Sequence, residues 1–93
     1  MDADNMAERP EKPAEHPDWV FCSKLEKWAP PAQRVPWGGK LGVAIRANVS
    51  EEAWQEWLKM EVMVINELRL NFMDPKSQDV LIQNMRQFLA LPE

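Results

Sequence analysis

The sequence is short of the residues that most site chemistry uses. Its 93 residues include one cysteine, Cys22, one histidine, His16, three glycines and no tyrosine. A single cysteine cannot close an internal disulfide, and a tetrahedral zinc site usually needs several Cys and His ligands, so a disulfide framework and a zinc module are both excluded. Nucleophilic catalysis by Ser/His/acid or Cys/His needs an imidazole held within hydrogen-bond reach of its partner. Here the imidazole belongs to a proline-interrupted leader and is cut off from Cys22 by Pro17, so the sequence predicts no enzyme. Gly38, Gly39 and Gly42 lack the Lys-Ser/Thr ending of a phosphate-binding loop. No apolar run approaches the roughly 20 residues that cross a bilayer. The first 18 residues have neither a secretory apolar stretch nor an Arg-rich transit character, which predicts a cytoplasmic protein without a membrane span.

The charge is uneven along the chain. Residues 1–18 carry Asp2, Asp4, Glu8, Glu11, Glu15 and Asp18 against Arg9 and Lys12, and so hold the whole net charge of −4. With Pro10, Pro13 and Pro17 and little to bury, this stretch reads as a disordered acidic tail. The remaining body is neutral and has no basic stripe, which argues against nucleic-acid binding. At 45% hydrophobic and 28% charged, residues 19–91 suit one small domain with one core.

Within that domain, Asp18–Leu25 is aromatic and β-branched and alternates, with Trp19, Phe21, Ser23 and Leu25 on one side and Val20, Cys22 and Lys24 on the other. That pattern predicts a strand. Pro30 and Pro31 cannot donate to a ladder, so a connector is expected there, followed by a short partner strand at Gln33–Val35. Trp37-Gly38-Gly39 marks a turn, and Leu41, Ala44 and Ile45 recur at helical spacing, which predicts a short helix over Lys40–Ala47. Ser50 is a good N-cap, with Glu51 and Glu52 near the positive end of the helix dipole. The long helix that follows places Trp54, Trp57, Leu58, Ile65 and Leu68 on one face, widened by Met60 and Val64. Asp74-Pro75 starts another helix, which turns Leu81, Met85, Phe88 and Leu89 inward with Val80 and Ile82 flanking. The short joint makes these two helices antiparallel neighbours. The predicted fold is α+β: a small N-terminal two-stranded antiparallel sheet with one short and two longer helices.

Chemistry can then rest on few groups. Cys22, in mid-strand among aromatics, is either an inert buried side chain or a redox-sensitive thiol and thiolate ligand. Glu67 lies beside Asn66 and near Asn71 and Asp74, so oxygen ligands for a hard cation could converge there, although caps and turns also explain Asn71 and Asp74. Five tryptophans exceed what so small a core can hide, which leaves one or two as anchors for a partner.

Taken in order, Val20-Phe-Cys22 with Lys24-Leu25, Gly39-Lys-Leu-Gly42 and Ile45, Val49-Ser-Glu-Glu-Ala-Trp54 with Trp57, Ile65-Asn66-Glu67, Leu70-Asn71, Met73, Asp74-Pro75 and Phe88-Leu89 resemble the bacterial Fe(II)-trafficking, oxidative-damage-protection proteins (the YggX-like family). The likeness needs no gap from Val20 to about Leu89. It implies the α+β fold above, weak Fe(II) handling, protection of iron-sulfur proteins as partners, and a functional thiol at Cys22. The chain departs from the family pattern Pro-Gly-Glu-Leu-Gly at Lys40, which replaces an acid, and nearby at Ala44 and Arg46. An ammonium about 4 Å from a bound cation would oppose it by about 4 kcal/mol per unit charge at an effective dielectric near 20. The alternative is a non-catalytic interaction subunit of a larger assembly built on the same fold; free in solution, the protein is expected to be a monomer.

Overall fold

The computed structural model describes residues 10–92. Two strands, β1 (Val20–Phe21) and β2 (Trp28–Ala29), precede three helices, α1 (Gly39–Asn48), α2 (Glu51–Leu68) and α3 (Pro75–Leu89). The strands pair antiparallel, Val20 with Ala29 and Phe21 with Trp28. The α+β class and the element order agree with the sequence reading.

The partner strand does not. It is Trp28–Ala29 rather than Gln33–Val35, because the chain reverses early. The Cys22 N–H donates to the Lys27 carbonyl and the Glu26 N–H to the Cys22 carbonyl, both at 2.8 Å. Glu26 takes the left-handed conformation (φ 53°) that this reversal requires. The proline connector then pairs elsewhere. The Pro30 carbonyl accepts from Glu51 N–H at 2.8 Å, the Ala32 N–H donates to the Val49 carbonyl at 3.0 Å, and Pro31 bridges Ser50. Residues without N–H groups thus lie beside the α1–α2 junction, where their carbonyls are what is needed.

Each helix end has a local cause. Ser50 caps α2 by accepting from Ala53 N–H at 3.2 Å. Asp74 caps α3 by accepting from Lys76 N–H at 3.0 Å, with Pro75 in the first turn, where its missing donor costs nothing. Helix α2 stops at Arg69 and α3 at Ala90, both left-handed. The second stop is tied to the hairpin turn: Ser23 Oγ donates to the Leu89 carbonyl at 2.6 Å, and Lys24 Nζ donates to the Phe88 carbonyl at 3.2 Å while lying 3.8 Å from the Phe88 ring centre. A cation at the negative end of a helix is favourably placed.

The core joins Cys22, Ala32, Ile45, Val49, Ala53, Trp54, Trp57, Leu81, Met85, Leu89 and Leu91. Helices α2 and α3 pack on one another. Leu68, expected on the inner face of α2, is instead 52% exposed, and Val80 is exposed too. Leu68 is the last residue of α2 and Val80 lies in the first half of α3, on either side of the joint, where Phe72 and Met73 are exposed as well. Trp54 and Trp57 are sealed, and their indole N–H groups have no partner. Burying an indole removes about 150–250 Å², about 4–6 kcal/mol at ~25 cal/mol per Å², whereas an unpaired donor costs about 1–3 kcal/mol. Burial prevails.

Gly42 faces the backbone of Trp37, and a Cβ there would overlap the Trp37 carbonyl oxygen. A rigid backbone atom cannot yield as a side chain can. Gly42→Ala should therefore lose about 2–3 kcal/mol in urea unfolding, despite the better helix propensity of alanine. An unchanged or raised midpoint would contradict that contact.

Candidate functional site

Cys22 directly follows β1 and enters the core between the hairpin and the start of α2. Its side chain is fully buried, yet its surroundings are not all hydrocarbon. The Ser50 hydroxyl donates to the Cys22 sulfur at 3.3 Å, and the Leu25 N–H donates to it at 3.5 Å. The same Ser50 oxygen accepts from Ala53 N–H, so the α2 cap and the thiol share one atom. Burial pushes the thiol up. The Ser50 hydroxyl and the backbone N–H groups of Ser50, Leu25 and Lys24 pull the other way and prevail, holding Cys22 below its ordinary value of 9.0. Donors aimed at sulfur favour its charged form, and so does the positive end of α2.

The other sequence-derived residues fall elsewhere. Glu67 is exposed in the last turn of α2. Seventeen residues separate it from Ser50 (67 − 50), which is about 25 Å of helix at 1.5 Å per residue, so Glu67 and Cys22 cannot hold one ion together. Asn66, Asn71 and Asp74 are exposed at the same end. Asn71 Oδ1 accepts from Met73 N–H and Asp74 Oδ1 from Lys76 N–H, each at 3.0 Å, so these two act as turn and cap. Among the described residues, no group of three or more His, Cys, Asp and Glu side chains converges on a possible metal position.

Lys40 is exposed on α1 and lines an open groove with Val43, Arg46 and Ala47. The core side of that helix is Gly42 and Ile45, so the ammonium does not face Cys22. Gly39 takes φ 61° at the start of α1. Trp54 and Trp57 serve the core. His16 stacks on Trp19, with ring centres 3.9 Å apart. Sequence reasoning recognised Ser50 as a cap but missed it as a donor to sulfur; only the packing of the hairpin against the α1–α2 junction brings positions 22 and 50 together.

Comparison with known proteins supplies the decisive observation. Residues 17–92 match the model of a family described as bacterial Fe(2+) trafficking. The chain belongs to that family. A relative from Coxiella burnetii is 46% identical over 70 residues, covering 75% of this chain and 78% of its own. Another from Hydrogenovibrio crunogenus is 43% identical over 70 residues, with the same coverages. A third, from Burkholderia multivorans, is 45% identical over 69 residues, covering 74% and 76%. Each is named a probable Fe(2+)-trafficking protein, and none of the three names is that of an enzyme. In this family member no helix among the described residues is long and apolar enough to cross a membrane.

The lowered thiol makes stability depend on pH with a definite sign. The folded state releases its Cys22 proton more readily than the unfolded chain, so stabilisation grows as pH rises from the folded pKa to 9.0 and is lost as pH falls back through that window. Urea unfolding of wild type and Cys22→Ala at pH 7 and pH 9 should show the wild type gaining relative to the variant at the higher pH. Equal differences at both pH values would contradict the hydrogen-bonded thiolate. Ser50→Ala, which also removes the α2 cap, should cost about 1–2 kcal/mol and flatten the same dependence.

Proposed function

We propose that this protein takes part in Fe(II) trafficking and that Cys22 is its reactive group, either meeting iron weakly as a thiolate or meeting the oxidants that accompany iron. The reading is carried by one observation: a lone cysteine inside the family-matched segment whose sulfur is hydrogen-bonded by Ser50 and Leu25 at the start of a long helix. A lowered pKa raises the fraction of thiolate, the form that binds metal and attacks peroxides. With hydrogen peroxide as oxidant, the thiolate takes one oxygen, the O–O bond breaks, and the sulfur becomes sulfenic acid while the other oxygen leaves as water after protonation.

Burial sets the mode. Sulfur that is closed to solvent meets iron only when the Cys22–Lys27 turn opens, and that turn is held by two backbone hydrogen bonds and by the Ser23 and Lys24 tethers to α3. Such opening is a local event that costs less than global unfolding. A single, intermittently available ligand gives weak and reversible binding, which suits cargo that is passed on. Iron-sulfur proteins are the proposed beneficiaries.

A second reading, a non-catalytic subunit of a larger assembly, is favoured by the exposed corner of Leu68, Phe72 and Met73, the last 88% exposed. Large exposed apolar patches mark partner surfaces. On that reading no Fe(II) binding is expected.

Anaerobic Fe(II) titration separates the two. Wild type should bind weakly, Cys22→Ser should lose binding by about tenfold or more, and Glu67→Gln should behave as wild type. Binding by wild type no better than by an unrelated acidic protein would remove the metal proposal.

A further inference from the structure

Residues 1–9 of the expected acidic tail lie outside the described residues; residues 10–16, just before the family segment that begins at residue 17, are seated on the hairpin. The Trp28 indole N–H donates to the Pro10 carbonyl at 2.6 Å, and Lys12 Nζ lies 5.5 Å from the Trp28 ring centre. Lys12 also donates to the Pro17 carbonyl at 2.9 Å, closing residues 12–17 into a loop. Two reversals, His16 N–H to the Pro13 carbonyl at 3.2 Å and Trp19 N–H to the His16 carbonyl at 3.1 Å, bring the His16 ring flat onto Trp19, with 8° between the ring planes. Beneath the strap is an aromatic floor. Phe21 and Trp28 are cross-strand partners in edge contact at 5.5 Å, and Trp19, half-buried, directly precedes β1.

The Trp28 indole N–H on the Pro10 carbonyl is a contact by which proteins recognise proline-rich chains. Such chains are stiff and lose little entropy on docking, their ring faces lie on aromatic side chains, and their carbonyls accept from indole N–H groups. Residues 10–13 read Pro-Glu-Lys-Pro, the PxxP spacing, and Pro17 follows. We propose that Trp19, Phe21 and Trp28 form a recognition surface for proline-rich peptides, and that residues 10–17 occupy it in cis until a proline-rich segment of a partner protein displaces them.

Tethering defines the competition. A short linker gives the strap an effective concentration in the millimolar range, and a partner's apparent affinity falls by the fraction of molecules with the surface open. Opening the strap should therefore strengthen binding in trans.

The test uses the full-length chain, wild type and a variant with Pro10→Gly, Lys12→Ala, Pro13→Gly and Pro17→Gly, which lie outside the core. Tryptophan indole NMR signals are followed as a synthetic peptide of residues 8–18 is added, and unchanged Trp54 and Trp57 signals report an intact fold. The peptide should shift the Trp19 and Trp28 signals, bind the variant at least about tenfold more tightly than wild type, and lose binding when Trp28→Phe is added. A peptide with alanine at its prolines should not bind. No shift at Trp19 and Trp28 in the variant, or equal binding of the alanine peptide, would overturn the proposal. Concentration-dependent dimerisation of wild type without peptide binding would assign the surface to a second copy and would also overturn it.

Discussion

The Ser50 hydroxyl accepts from the Ala53 N–H and donates to the Cys22 sulfur. One oxygen thereby starts the longest helix and anchors the hairpin to it. Around this contact the backbone is equally committed: Ser23 N–H donates to the Asn48 carbonyl, Ala32 N–H to the Val49 carbonyl, and Glu51 N–H to the Pro30 carbonyl. Hairpin, connector and the α1–α2 junction meet there. A buried polar pair is tolerable only when satisfied, so the sulfur and hydroxyl constrain each other.

Much of this was legible in the sequence because it is local. Ser50, Asp74-Pro75 and the apolar spacing of the two long helices each act within a turn or two, and each element appears where those signals put it. The hairpin was only half legible. Aromatic alternation marked β1, but the position of β2 depends on a left-handed Glu26 and on hydrogen bonds across Cys22–Lys27, which no propensity announces. Gln33–Val35 looked like a strand because a partner was expected after the prolines. The prolines had already found theirs at Val49–Glu51.

The candidate site divides in the same way. Cys22 stood out by its rarity and by the family likeness, whereas its partner Ser50 lies 28 positions away and its link is purely tertiary. Glu67, Asn71 and Asp74 looked like a cluster because they are near in sequence. In three dimensions the asparagine and aspartate turn their oxygens to backbone N–H groups, and Glu67 stands at the opposite end of α2 from the thiol. The Lys40 substitution likewise loses its force against a Cys22 site, since Lys40 faces solvent.

Membership of the Fe(2+)-trafficking family places the chain in iron handling, and the chemistry proposed for it depends on whether a sealed sulfur is still held ready as thiolate. The most direct measurement is a pH titration of the Cys22 ¹³Cβ chemical shift in the folded protein, which reads the protonation state without requiring access to the side chain. The account predicts a midpoint below 9.0 that moves upward in Ser50→Ala. A midpoint at or above 9.0 in the wild type would mean that burial outweighs the donors and that Cys22 is only a core side chain.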